Sequence, residues 1–171
     1  MNEALPIEYG RATLADIPAV VELCMLVEQQ HEDYWPLRWQ RRPGIREGYT
    51  GWLSRRLGEP RMLNFVARDP ALKGAVVGAV LATIEKEIPI YTYAEYAFIQ
   101  DMAVRESHRR RGIAQELLAH VAAWARSFDL NQVRLMVAHQ NPAGRAAFIK
   151  AGFRPTYEEM VLPLQGDAPG K

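Results

Sequence analysis

Arg105, Arg109, Arg110 and Arg111 crowd one short stretch and are followed at once by Gly112, Ile113 and Ala114. A mainly apolar strand-like run, Phe98 to Val104, interrupted by Gln100 and Asp101, precedes them, and a run with apolar residues at helical spacing follows. A helix that opens at Gly112 leaves its first backbone N–H groups unpaired, and its macrodipole adds partial positive charge there. Such a turn is an anion cradle. Gly112 has no Cβ to hold a phosphate off the backbone, and Ala114 keeps the rim of the next turn low, so a diphosphate suits the site. A basic run is by default a solvated turn; the strand before it and the amphipathic helix after it favour the ligand.

Two carboxylates are candidates for proton transfer. Glu95 and Asp101 are six residues apart in one strand-like run, so alternation predicts that they share a face and that either can point into a cleft. Glu95 is the preferred base, while Asp101 also reads as a structural hydrogen-bonder at the strand end. Asn141 precedes Pro142 in an N-cap position, which is compatible with a ligand contact. His31, His108, His120 and His139 lack metal-ligand spacing and read as surface or packing residues, with His139 alone placed after a strand facing the cleft. No metal is expected.

The elements that must position these residues follow from periodicity. Ile7 to Arg11 reads as a strand; Asp16 caps a helix that runs to about Gln30; His31 to Gly44, rich in Pro, Trp and Arg, reads as an ordered loop. Ile45 to Leu57 is helical, and Met62 to Arg68 with Gly74 to Glu85 forms a hairpin. A strand from Glu95 to Val104, a helix from Gly112 to Phe128 and a strand from Gln132 to Ala138 make a crossover unit with its two strands parallel. A helix from Pro142 to Ala151 and a last strand from Phe153 to Leu164 close one domain over residues 1–164, and Gln165 to Lys171 reads as a polar tail.

Composition removes several functions. With 21 basic and 20 acidic side chains in 171 residues, the net charge of +1 offers no field for coating nucleic acid. The single cysteine, Cys24, excludes an intrachain disulfide framework and reads as a small buried hydrophobe; a reducing, cytoplasmic compartment is the default. Met1 to Tyr9 has no basic start or apolar core of a secretory signal, and the longest apolar run, Ala75 to Ile84, is strand-sized, so no membrane contact is expected. No Gly-x-Gly-x-x-Gly, Gly-x-x-x-x-Gly-Lys-Ser/Thr or Gly-x-Ser-x-Gly pattern occurs.

The segment Arg109-Arg110-Arg111-Gly112-Ile113-Ala114 resembles the pyrophosphate loop of the GNAT superfamily of N-acetyltransferases, Gln/Arg-x-x-Gly-x-Gly/Ala. The strand before it, the helix after it, and Asn141-Pro142 through Phe148 to Gly152-Phe153 follow in the family's order, and the resemblance spans about residues 7 to 162. It implies a mixed α/β fold: a mostly antiparallel sheet with one splayed parallel pair, flanked by four helices. It also implies acetyl-CoA as co-substrate. Backbone groups of Met102, Ala103 and Val104 would hold the acetyl carbonyl and the pantetheine arm, amides from Arg109 to Ala114 the pyrophosphate, and Asn141 the pantetheine or thioester end.

The implied reaction is direct attack of a primary amine on the thioester in a ternary complex. Much of the family has a proton-donating tyrosine for the departing thiolate where this chain has Phe148, which leaves water or one of Tyr91, Tyr93 and Tyr96 for that task. The same departure keeps a second reading open, an acyl-CoA sensor or interaction module with weak turnover. The acceptor amine is not legible; its determinants would fall around residues 31–60 and 86–95. A homodimer is a reasonable expectation.

Overall fold

The computed structural model describes residues 6–164. The expected tail, Gln165 to Lys171, and the first five residues, part of the segment read for a leader, lie outside the described residues. Five strands form: β1 (Glu8–Arg11), which has no Val, Ile, Leu or Phe and pairs along β2, and the runs with β-branched and apolar residues, β2 (Met62–Asp69), β3 (Ala75–Lys86), β4 (Glu95–Val104) and β5 (Val133–Leu135). They lie in that order in one sheet, antiparallel from β1 to β4 and parallel at β4–β5. This is the mixed sheet that the sequence predicts.

Helices cover both faces. α1 (Ile17–Tyr34), the single turn α2 (Pro36–Trp39) and α3 (Ile45–Arg56) precede the hairpin; α4 (Ile113–Arg126) connects β4 to β5, and α5 (Pro142–Lys150) follows. On one face Val20, Leu23 and Cys24 of α1 and Leu53 of α3 pack on Met62, Val66 and Leu81. On the other, Ile113, Leu117, Val121 and Trp124 of α4 pack on Leu63, Val80, Ala97 and Ile99. Each Val, Leu, Ile or Met side chain among these stabilises the fold by roughly 1.5–3 kcal/mol on burial. Gly78 sets how closely α4 approaches, because a Cβ there would stand 3.1 Å from Ile113 Cγ2 and 3.4 Å from Leu117 Cδ1. A larger residue at 78 would push out the start of α4, and with it the basic turn.

Three sequence expectations are corrected. The stretch expected to be loop from His31 to Gly44 is partly helical: α1 runs on to Tyr34, and Pro36, with no N–H to leave unpaired, starts the turn α2. The strand expected over Gln132 to Ala138 shrinks to Val133–Leu135. The last strand, Phe153 to Leu164, does not form. Pro155 and Pro163 cannot donate to a ladder, and the short β5 offers little edge to pair with. Instead Glu159 is tied to α2 by a two-pronged ion pair with Arg38, both contacts 3.0 Å. No described helix is long and apolar enough to cross a membrane.

β4 carries the feature that shapes the site. Ile99 is opposite Ala82 but Asp101 is opposite Leu81, so Gln100 is an extra residue, a β-bulge. Ala97 and Ile99 face α4, as do Met102 and Val104, whereas Ala103 packs on the α1–α3 side. Side-chain parity therefore inverts at Gln100, and this corrects the expectation that Glu95 and Asp101 share a face.

Candidate active site

β4 and β5 are paired at only three positions, Ala97–Val133, Phe98–Arg134 and Ile99–Leu135. Beyond Ile99 and Leu135 the strands part, while β4 continues against β3 to Val104. Met102, Ala103 and Val104 thus keep a strand partner on one side only, and the main chain on their other side faces the wedge between the two strands. An extended amide-bearing chain can add there in the manner of a strand.

The wedge leads to the basic turn. After β4, Arg105 donates from its backbone N–H to Val77 O at 2.8 Å and from Nε to Val76 O at 2.9 Å, which ties the turn to β3. His108, buried, sits with Nε2 3.0 Å from Asp69 Oδ2 and Nδ1 2.8 Å from Ser107 Oγ. The His108 hydrogen bond, the Ala71 amide and the nearby Arg111 charge hold the Asp69 carboxyl below the usual range. His108 is thus a packing residue that anchors the turn to the β2–β3 connection.

Beyond His108 the backbone adopts left-handed conformations at Arg110 (φ 61°) and Gly112 (φ 81°). A Cβ on Gly112 would meet no protein atom within 4 Å, so within the protein itself the glycine serves for its positive φ. α4 then opens with no side-chain cap, leaving the first-turn N–H groups to a ligand. Ile113 directs its side chain into the core, Ala114 is half-buried, and Arg109, Arg110 and Arg111 are exposed with no ion-pair partner among the described residues. Alternating left-handed residues, bare helix N–H groups and guanidiniums without an ion pair among the described residues, one of them Arg109 with Nε 3.3 Å from Val104 O, fit a diphosphate, and the open β4 edge fits the amide arm joined to it.

On the opposite face of β4, past the bulge, Asp101 is buried under α3. Tyr49 Oη lies 3.2 Å from Asp101 Oδ2 and 2.9 Å from Glu28 Oε1, so a residue each from α1, α3 and β4 converges on one hydroxyl. Burial is the main cause that pushes the Asp101 carboxyl up to about 7, Glu28 adds to it, and the Tyr49 hydrogen bond opposes it. Burial next to two acids also raises the Tyr49 hydroxyl, which stays protonated. A carboxylate that titrates near neutrality is suited to general base work. A cavity of about 390 Å³ runs from Trp39, Arg42 and Pro43 down to Glu28 and Tyr49, and a smaller one of about 220 Å³, lined by Tyr49, Trp52, Gln100 and Asp101, adjoins it.

The other candidates fall elsewhere. Glu95 is on the α4 side of β4, bonded to Arg61 Nη2 at 2.6 Å, and six residues of strand, roughly 20 Å, separate it from Asp101. Asn141 caps α5, accepting from the Gly144 N–H at 2.8 Å; a Cβ on Gly144 would collide with it at 2.6 Å, so the two residues fit as a pair. Phe148 packs edge-on against Phe153 with ring centroids 5.8 Å apart. Tyr91 and Tyr93 are exposed, and Tyr96 lies beneath the Arg134 guanidinium, 3.9 Å from its ring centroid. His139 is exposed; Cys24 is buried and its thiol is pushed up by that burial. Sequence reasoning did not find Glu28 or Tyr49 as site residues. Both sit at ordinary helical positions, and only the packing of α1 and α3 over the bulge joins them to Asp101.

A mixed sheet whose one parallel pair parts after three residues thus lies beside a helix start suited to phosphate. The model of the acetyltransferase (GNAT) family matches residues 24–153, and the chain belongs to that family. It is similar in fold to a mutant of the BH1408 protein from Bacillus halodurans (TM-score 0.79, 18% identity, 92% of this chain and 99% of that one covered). A predicted acetyltransferase from Clostridium acetobutylicum, solved with acetyl-CoA, is also similar (TM-score 0.72, 20% identity, 93% and 97% covered). So is an aminoglycoside antibiotic 6'-N-acetyltransferase from Acinetobacter baumannii (TM-score 0.69, 18% identity, 95% and 99% covered). No curated protein matches the chain.

Proposed function

We propose that this acetyltransferase moves the acetyl group of acetyl-CoA to a primary amine by direct attack in a ternary complex, with Asp101 as the general base. Acetyl-CoA supplies an activated acyl thioester. The main-chain edge from Met102 to Val104 aligns its amide arm and provides a donor for the developing oxyanion. Backbone N–H groups between Arg109 and Ala114 hold the diphosphate, and Asn141, which caps α5, contacts the arm.

The acceptor enters through the cavity under Trp39, meets Glu28 and Tyr49 at its floor, and reaches Asp101 through the smaller cavity that adjoins it at Tyr49. An alkyl ammonium is mostly protonated at neutral pH, so Asp101 must take a proton before the amine can attack. Tyr49 offers that proton a way out: its hydroxyl bridges Asp101 and Glu28, and Glu28 lines the outer cavity. Phe148 cannot protonate the leaving thiolate, so that proton comes from water or from the amine itself. Glu95, bonded to Arg61 on the far face, is set aside as base.

The observation that carries this reading is a buried carboxylate that titrates near 7 beside the unpaired end of β4. Free-thiol release from acetyl-CoA over a panel of amines tests it. Release with at least one amine, abolished in Asp101→Asn, supports it; binding of acetyl-CoA with no release for any amine favours the acyl-CoA sensor instead.

A further inference from the structure

The acceptor cavity is polarised along its length. Its floor carries Glu28, which accepts from Tyr49 and has no cationic partner among the described residues. Its mouth is the segment from Trp39 to Ile45, which holds Arg41 and Arg42 and no acid and is flanked by Arg38 and Arg46. Three of these guanidiniums are already neutralised: Arg38 by Glu159, Arg41 by Glu32 at 2.7 Å, and Arg46 by Glu22. Arg42 is not. It is exposed, lines the cavity and has no ion-pair partner among the described residues.

Between the two ends the wall is aromatic and apolar and its pose is fixed. Trp39 is stacked on His31 with centroids 5.3 Å apart and an interplanar angle of 22°, and Ile45 stands opposite. Gly44, in a left-handed conformation at φ 78°, opens α3 at the same mouth and adds a little to its positive potential. Glu47 of that first turn is not among the residues lining the cavity.

We infer that the acceptor is an amine that also carries an anionic group: its ammonium goes to the Glu28–Tyr49–Asp101 end and its carboxylate or phosphate to Arg42. This rests on the acetyl-transfer reading and narrows it. A polycation would place a second positive charge against Arg42, so the cavity disfavours amines of the aminoglycoside kind.

The test is a series of ω-amino acids of increasing length, from γ-aminobutyrate upward and including lysine, each paired with its carboxamide, with neamine as the polycation. Thiol release gives kcat/KM for each, and calorimetry on the CoA-saturated protein gives affinity without turnover. The expected result is a preference of about tenfold for acid over carboxamide at the best length, the size of a charge-assisted contact. In Arg42→Gln that ratio falls toward one, and in Arg42→Glu it inverts and neamine improves. Turnover with no acid preference, or a preference indifferent to both Arg42 variants, overturns the inference and leaves acetyl transfer standing. If no amine releases thiol, the transfer reading fails, and the calorimetric acid-to-carboxamide ratio still decides for or against Arg42.

Discussion

The basic turn, proposed above as the phosphate cradle, and the carboxylate cluster lie at opposite ends of the same stretch of β4 and are built in opposite ways. The cradle is local: Arg105 through Ala114 is one continuous segment, its conformation set by two left-handed residues and its place by the buried His108–Asp69 pair. The cluster is distributed, with Glu28, Tyr49 and Asp101 coming from α1, α3 and β4, and it exists only because the bulge at Gln100 turns Asp101 to that side. A local site works through backbone geometry and tolerates side-chain change. A distributed one works through burial and charge, and each of its members shifts the others.

The largest effect separates the two. Asp101→Asn should lower kcat by about 10²–10⁴-fold, the range for losing a general base, while acetyl-CoA affinity measured by calorimetry stays within experimental scatter. Gly112→Val should do the reverse. A β-branched residue at φ 81° costs about 1–2 kcal/mol, so the Kd for acetyl-CoA should rise about five- to thirtyfold, with the pH dependence of the chemical step unmoved.

Stability gives the next contrast. The Asp101 carboxyl titrates near 7 in the fold against an ordinary 3.8, so between those values the folded state holds a proton that the unfolded chain releases. Stability contributed by this group therefore falls as pH rises from about 4 to about 7 and is level above. Thermal melts at pH 8 should show Asp101→Asn more stable than the parent, the mark of a site strained for function. Asp69 has the opposite sign. Its carboxyl is held low by His108, so its stabilisation is present above the ordinary carboxylate range and is lost as pH falls through its lowered folded value. His108→Ala should flatten the acid limb of the melting curve.

The smallest effects probe the cluster's internal balance, and their directions differ. Tyr49→Phe removes the hydrogen bond that lowers the Asp101 carboxyl, so the rate limb should move to higher pH. Glu28→Gln removes a charge that raises it, so the limb should move lower. Shifts of the same sign would mean that the three groups are not coupled as their geometry requires.

The same contrast explains what could be read from the chain. The mixed sheet, the hairpin and α4 are written in local periodicity, and the basic turn with Gly112 announces itself in six residues. Asp101 was visible as a candidate, yet simple alternation paired it with Glu95, because a bulge has no composition signature at Gln100. Tyr49 and Glu28 carry no local signal, since a tyrosine on a helical face reads as packing until the partner across the interface is known. The expected last strand failed for a non-local reason too: Phe153 to Leu164 has strand-like residues, but a strand needs an edge, and β5 ends at Leu135.

The proposed reaction turns on whether Asp101 is the group that takes the proton. The most direct measurement is the pH dependence of kcat/KM for the best amine, in the parent and in Asp101→Asn. The structure predicts a limb with an apparent pKa near 7 in the parent that vanishes in the variant along with most of the rate. A variant that keeps both the limb and the rate would contradict it.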